Sequence, residues 1–129
     1  MRAEAMDLWQ RAQKALGTTK RLMDNDPDAA ASRAYYSAFY AVSAYFAFQN
    51  KFFSKHSGIE SAVHRDLVKE GIWSKELGTM YSSLVNLRTT GDYGGGSHVS
   101  NQDAWEALQA AEKIITAVSS LKPDVFIPA

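Results

Sequence analysis

The sequence predicts an all-α protein, an antiparallel up-and-down bundle of about five helices. Apolar residues recur at the helical period in several long stretches, no stretch alternates as a strand would, and candidate N-caps separate the stretches at short intervals. A chain of 129 residues fits one domain and buries enough surface to fold without a metal or a disulfide. We expect a single helical domain over residues 1–122 and an extended C-terminal tail over residues 123–129.

The first two predicted helices show the clearest patterns. Helix one should run from about Ala3 to Met23, where apolar side chains follow the 3.6-residue period. Asp26 is a suitable N-cap and Pro27 a suitable first residue for the second helix, because proline lacks the N–H that a first turn leaves unpaired. This second helix should continue to about Gln49. It is apolar on almost all sides and rich in aromatic residues, so we expect it to be the buried central helix.

Two further helices are predicted from candidate N-cap residues. Ser57 with Glu60 fits a capping box that opens a short third helix, ending near Lys69. Ser74 is a suitable cap for a fourth helix, which should end near Thr90.

The glycine-rich segment 91–101 follows the fourth helix, with four glycines in its first six residues. We expect this segment to be non-helical, and either mobile or closely packed on a ligand. Ser100 with Asp103 then caps the fifth helix.

Composition narrows the possible functions. The absence of cysteine excludes disulfides, zinc–thiolate sites and cysteine nucleophiles, and it fits a reducing cytoplasm. Fourteen basic and fourteen acidic residues give a formal charge of zero, so any RNA site must be a local cleft. The most apolar stretch, residues 34–48, is too short for a membrane span, and the N-terminus lacks the apolar core of a signal peptide. We therefore expect a cytoplasmic protein without a membrane partner.

Arg88 is the most informative candidate for a functional residue. It continues the inward stripe of the fourth helix that includes Leu77, Tyr81 and Leu84. A guanidinium on such a stripe needs an anionic partner, and Asp92 can supply one, outside regular helix because an acid at a helix C-terminus opposes the helix dipole. The pair is either a structural clamp that holds the glycine loop, which the pattern favours, or a phosphate-binding arginine that Asp92 orients.

Tyr93, His56 and His98 are further candidates. Tyr93 could donate a hydrogen bond to a phosphate or stack on a base, although an aromatic residue beside a turn more often fills a hydrophobic gap. His56, just before the third helix, and His98, in the glycine loop, could each act as a general base. His56 and His64 lack the i, i+4 spacing of a helical zinc site, so we expect neither a metal nor another cofactor.

Arg33 also needs an explanation, because it lies in the otherwise apolar second helix. It forms either a core ion pair or a second basic group that faces the same cleft as Arg88, and the sequence leaves both open. The aromatic run of this helix is more typical of a core than of a base-stacking platform. No Ser–His–acid set has the spacing that nucleophilic catalysis needs.

Three stretches together resemble the HEPN superfamily and, within it, the small stand-alone proteins grouped as UPF0332. They are SRAYYSAFYAVSAYF at residues 32–46, KHSGIESAVHRDLVKEGIWSKELG at residues 55–78, and LRTTGDYG at residues 87–94, followed by an amphipathic helix. The resemblance covers most of residues 28–120. It implies a bundle with a four-helix core, paired as a homodimer, with a cleft where helix ends of the two protomers meet.

Many HEPN proteins are metal-independent endoribonucleases, often toxins paired with a small nucleotidyltransferase antitoxin, while others bind nucleotides or assist a partner. In the ribonucleases four to six residues separate an arginine from a following histidine, whereas here the position after a four-residue gap from Arg88 is Tyr93, preceded by Asp92. The resemblance therefore implies one of two functions. Either Arg88 binds the scissile phosphate of RNA, Asp92 orients it, and Tyr93 with His56 or His98 completes a ribonuclease site, or the same cleft binds a nucleotide or a nucleotidyltransferase without catalysis.

Overall fold

The computed structural model describes residues 2–128, which form five α-helices and no strand. The helices are α1 (Arg2–Leu22), α2 (Pro27–Phe48), α3 (His56–Ala62), α4 (Lys75–Tyr93) and α5 (Asn101–Leu121). A π-helical segment, Val63–Val68, continues α3. The predicted all-helical fold is confirmed. None of the helices in the described range is long and apolar enough to cross a membrane.

Local sequence explains where most helices begin. At the three predicted N-caps Asp26, Ser74 and Ser100, the side-chain oxygen accepts a hydrogen bond from the backbone N–H three residues later. The capping box at Ser57 does not form. Helix α3 begins at His56, two residues earlier than this capping box requires, and its N-cap residue Lys55 makes no side-chain cap hydrogen bond.

Helix α4 continues beyond the predicted end at Thr90 and includes Gly91, Asp92 and Tyr93. The low helix propensity of glycine is overridden here by packing of α4 on the first turn of α2. A Cβ atom at Gly91 would lie 2.6 Å from the backbone oxygen of Asp28. The expectation that the whole segment 91–101 is non-helical is therefore wrong at its start, because glycine allows the end of α4 to approach the backbone of α2.

Helix α2 is the central helix, since it packs against α1, α4 and α5. Its small residues are fully buried and let neighbouring helices approach closely; they are Ala30, Ala31, Ala34, Ser37, Ala38, Ala41 and Ala44. Its aromatic residues fall into two groups. Tyr35, Tyr45 and Phe46 are buried, but Tyr36, Phe39 and Tyr40 are partly exposed on one side. This partly exposed aromatic face positions the candidate site.

The C-terminal segment differs from the expected extended tail. The chain turns after α5, with backbone N–H groups of Val125 and Phe126 donating to Lys122. The Phe126 side chain is fully buried, its ring centre 5.2 Å from that of Trp9, and the Trp9 indole donates a 2.8 Å hydrogen bond to the Ile127 carbonyl. Burial of one large aromatic ring outweighs the tendency of a proline-bracketed segment to stay extended. The last residue of the predicted tail, 129, lies outside the described range.

Candidate functional site

Arg88 lies near the end of α4 and faces the aromatic side of α2. Its Nη2 donates a 3.0 Å hydrogen bond to the Tyr36 hydroxyl. Its guanidinium carbon lies 5.6, 5.5 and 5.4 Å from the ring centres of Tyr35, Tyr36 and Tyr93. Burial lowers the pKa of Arg88, but Tyr36, Tyr93 and Asp92 together raise it above the usual value. The guanidinium therefore stays charged inside an aromatic cluster.

Asp92 pairs with Arg88 within α4, four residues along the same helix. The distance from Arg88 Nε to Asp92 Oδ2 is 3.1 Å, and Ser32 Oγ donates a 3.3 Å hydrogen bond to the same oxygen. The expectation that this pair forms outside regular helix is wrong, because contacts with Arg88 and with α2 offset the unfavourable helix dipole.

The geometry of the Arg88–Asp92 ion pair is compatible with both predicted alternatives, a structural clamp and a phosphate-binding arginine. Arg88 Nε lies 3.1 Å from the Asp92 oxygen but is not aligned for a hydrogen bond, and it has no other hydrogen-bond partner among residues 2–128. Because this nitrogen is buried, a ligand cannot reach it, and its incomplete pairing favours neither alternative.

Asp28, rather than Asp92, anchors the glycine loop. Its Oδ1 accepts a 2.7 Å hydrogen bond from the Val99 backbone N–H, and its Oδ2 lies 2.7 Å from His98 Nδ1. These hydrogen bonds, that of Val99 first, hold the pKa of Asp28 below its usual value. Sequence reasoning missed Asp28 because an acid in the first turn of a helix is already explained by the helix dipole. His98 thus contacts Asp28, the residue that anchors the glycine loop.

His56 opens α3 and lies over the aromatic face of α2. Its ring centre is 4.4 Å from that of Phe39, 5.7 Å from Tyr36 and 5.9 Å from Tyr35. Burial against these rings lowers the pKa of His56, and the positive charge of Arg88 lowers it further. The lowered pKa favours the neutral form of the imidazole, which can accept a proton beside a fixed cation.

Tyr93 is not the hydrophobic plug that the sequence pattern favoured. It is 71% exposed, while its ring remains 5.4 Å from the Arg88 guanidinium carbon. An exposed ring beside a cation can stack on a base or donate its hydroxyl to a ligand. The four predicted site residues thus surround the exposed aromatic face of α2. Tyr36 and Phe39 were not predicted as site residues, because an aromatic run in an apolar helix is more typical of a core.

A second polar cluster joins α3 and its π-helical continuation to α4. Ser82 Oγ donates a 2.7 Å hydrogen bond to Glu60 Oε2 and lies 2.8 Å from His64 Nε2. The carboxylate contacts the serine rather than the histidine, so the order of a nucleophilic Ser–His–acid set is absent from this cluster. The cluster instead fixes α3 on α4. Since His56 is one turn before Glu60, it also helps to position His56.

Arg33 forms no ion pair with any described residue, so the predicted alternative of a core ion pair is wrong. Its guanidinium carbon lies 4.7 Å from the ring centre of Tyr36, the residue whose hydroxyl binds Arg88. Within the part of the chain that the structure describes, no group of three or more acidic or histidine side chains could hold a metal ion.

Comparison with known proteins agrees with this architecture. The family model of the HEPN domain matches residues 5–121. The chain belongs to the HEPN family. A UPF0332 protein of Thermotoga maritima is 35% identical over 122 residues, which cover 93% of this HEPN chain and 92% of the relative. A UPF0332 protein of Gloeobacter violaceus is 36% identical over 106 residues, 81% of this chain and 84% of the relative. The resemblance inferred from the sequence is confirmed.

A more distant relative of this HEPN protein bears a functional name. A protein of Methanocaldococcus jannaschii named "putative toxin" is 29% identical over 102 residues, which cover 78% of this chain and 69% of the relative.

Proposed function

We propose that this HEPN protein binds RNA with a backbone phosphate at Arg88 and cleaves the strand there without a metal ion, as the toxin of a toxin–antitoxin pair. The observation that supports cleavage most is the meeting of Arg88 and a neutral His56 on one aromatic face, although 32 positions separate them in the chain. The toxin name of the archaeal relative supports the biological role.

The proposed reaction uses groups that surround Arg88. His56 accepts the proton of the ribose 2′-hydroxyl as the 2′-oxygen attacks the neighbouring phosphorus. Arg88 stabilises the negative charge that develops on the phosphoryl oxygens, and Asp92 and Tyr36 orient its guanidinium. The bond from phosphorus to the 5′-oxygen breaks, and that oxygen takes a proton from the imidazolium. The products are a 2′,3′-cyclic phosphate and a 5′-hydroxyl, and Tyr93 stacks on an adjacent base.

The central experiment is incubation of purified protein with mixed single-stranded RNA, with and without a chelator. We expect cleavage in both conditions, with 2′,3′-cyclic phosphate ends. Arg88→Gln and His56→Gln should each lower the rate by about 100-fold or more, the usual contribution of an electrostatic or proton-transferring group. His98→Gln is the matched control, because His98 contacts Asp28. Loss of cleavage on chelation contradicts the metal-free site, and a rate that depends on His98 rather than His56 contradicts the assigned proton acceptor.

One observation favours a second function, a module that binds a nucleotide or a nucleotidyltransferase antitoxin without catalysis. The position where HEPN ribonucleases have their histidine holds Tyr93, and a tyrosine with a reference pKa of about 10 is a poor base near neutral pH. RNA or nucleotide binding that depends on Arg88, with no cleavage in any condition, would identify this function.

We also propose a homodimer, in which two copies of Arg88 approach one cleft and compensate for the neutral overall charge. The exposed ring of Tyr93, beside Arg88, supports a contact at this end of the bundle. Multi-angle light scattering at micromolar concentrations should give twice the chain mass of 14.2 kDa. A single-chain mass at every concentration contradicts the dimer.

A further inference from the structure

A cavity of about 510 Å³ opens between α1 and α2, beside the Arg88 site. Its lining includes Arg11, Lys14, Arg33 and Tyr40. Arg11 is paired with Asp7 at 2.9 Å, whereas Lys14 and Arg33 form no ion pair with any residue from 2 to 128. The cavity is therefore locally cationic in a protein whose formal charge is zero, and its volume suits a nucleotide-sized group.

Tyr36 connects this cavity to the Arg88 site. The Arg33 guanidinium lies over its ring at 4.7 Å, and the hydroxyl of the same side chain accepts the hydrogen bond from Arg88. Both guanidinium carbons are thus within 5.5 Å of one ring centre. Arg33, Tyr36 and Tyr40 are spaced three and four residues apart, so they share one face of α2. Tyr36 thus links Arg88 to Arg33, which lines the cavity.

The charge of Arg33 is the feature that most needs a ligand. The Arg33 side chain is only partly exposed. Its guanidinium lies over the ring of Tyr36, but it forms no ion pair with an acidic residue in the described part of the chain. A partly buried cation without a counter-ion is unfavourable, and an arginine stacked on a ring keeps its N–H donors free for a phosphate. Tyr40 lines both this cavity and the adjoining hollow at Leu8.

We propose that the α1–α2 cavity holds the nucleotide next to the scissile one in a single-stranded RNA. The neighbouring phosphate binds Arg33 and Lys14, and the base of that nucleotide packs on Tyr40. The bound RNA is single-stranded, because only an unpaired base can enter a cavity between two helices and stack there. This inference rests on the proposed function, since the strand continues from the phosphate at Arg88.

The test is fluorescence anisotropy with a labelled ten-nucleotide RNA. Lys14→Gln and Arg33→Gln should each weaken decamer binding by about fivefold or more at low salt. Each should also reduce the slope of log affinity against log salt by about 0.7, the value for one phosphate contact on a single strand. Asp7→Asn should tighten decamer binding, because Asp7 is the only acid that residues 2–128 contribute to the cavity lining.

Lys113→Gln is the matched control, since Lys113 lies on the opposite α4–α5 surface and its substitution removes the same charge. Lys14 is an exposed residue, so its substitution should leave the fold intact. Decamer binding that is lost in Arg88→Gln but unchanged in Lys14→Gln and Arg33→Gln overturns the cavity proposal and leaves the proposed function intact. A wild-type protein that binds no RNA overturns the proposed function itself.

Discussion

The chemistry proposed for the site depends on the proton equilibrium of His56. Its ring packs on Phe39, and the nearby Arg88 is positively charged. Burial and electrostatic repulsion by Arg88 therefore both disfavour the protonated imidazolium. The pKa of His56 is therefore lower than that of an ordinary histidine. A lowered pKa favours the deprotonated form that a general base needs.

We predict that the pKa of His56, followed by NMR of its ring protons, lies below the ordinary value of about 6.5 and rises in Arg88→Gln. For the same reason, the cleavage rate should rise with pH and be half-maximal at a pH below about 6.5. Because the unfolded chain binds this proton more strongly than the folded chain, the stabilising contribution of neutral His56 is complete above about pH 6.5 and is lost as the pH falls through the folded-state pKa. A His56 pKa that Arg88→Gln leaves unchanged would show that the two side chains are not coupled.

Among the elements, the contact between the end of α4 and the start of α2 determines the shape of the site. Gly91 lies against the Asp28 backbone, and Asp92 accepts a hydrogen bond from Ser32 on the next turn of α2. The first turn of α2 also holds the glycine loop, because the Asp28 carboxylate accepts a hydrogen bond from the Val99 backbone N–H. A displacement of this contact would therefore move both Arg88 and the loop.

Two glycine substitutions test this contact. In an exposed helix, alanine in place of glycine stabilises by about 0.5–1 kcal/mol. Gly17→Ala should show this gain, because its new Cβ would meet only the Arg21 side chain, at 3.6 Å. Gly91→Ala should instead destabilise by about 1–3 kcal/mol, since its Cβ would lie 2.6 Å from a backbone oxygen that cannot turn away. Urea unfolding measures both. If both variants gain stability equally, α4 and α2 are farther apart than described.

At the scale of the whole molecule, the C-terminal segment completes the core. Phe126 fills the space between Trp9 and Phe48, with ring centres 5.2 and 6.0 Å away. Residues near the two ends of the chain are thereby joined, and the Trp9–Ile127 hydrogen bond adds to this closure.

We predict that Phe126→Ala lowers the free energy of unfolding by about 3–5 kcal/mol, the usual cost of a cavity left by a buried phenylalanine. Ile127→Ala is the control. Its side chain is 64% exposed, and its carbonyl, which accepts from Trp9, is retained, so the change should stay within about 0.5 kcal/mol. Thermal unfolding with tryptophan fluorescence compares the two. Equal stability of the two variants would mean that the segment does not belong to the core.

The sequence by itself determined the features that depend on neighbours along the chain. The helical period and the three N-caps at Asp26, Ser74 and Ser100 are local, and the structure agrees with all of them. The ordered motifs also identified the HEPN family, which the family match confirms. The pairing of Arg88 with Asp92 was within reach because the two residues are one turn apart.

Only the tertiary structure decided which helix faces meet. It extended α4 through Gly91, made Asp28 the loop anchor, and placed His56 and Arg88 near the same Tyr36 ring. It also placed Arg33 in a cavity beside Tyr36. These contacts join residues far apart in the chain, and their energies depend on distances that no local pattern encodes. A glycine, a first-turn acid and an aromatic run each suit several environments, and the packing of α2 against its neighbours selects one of them.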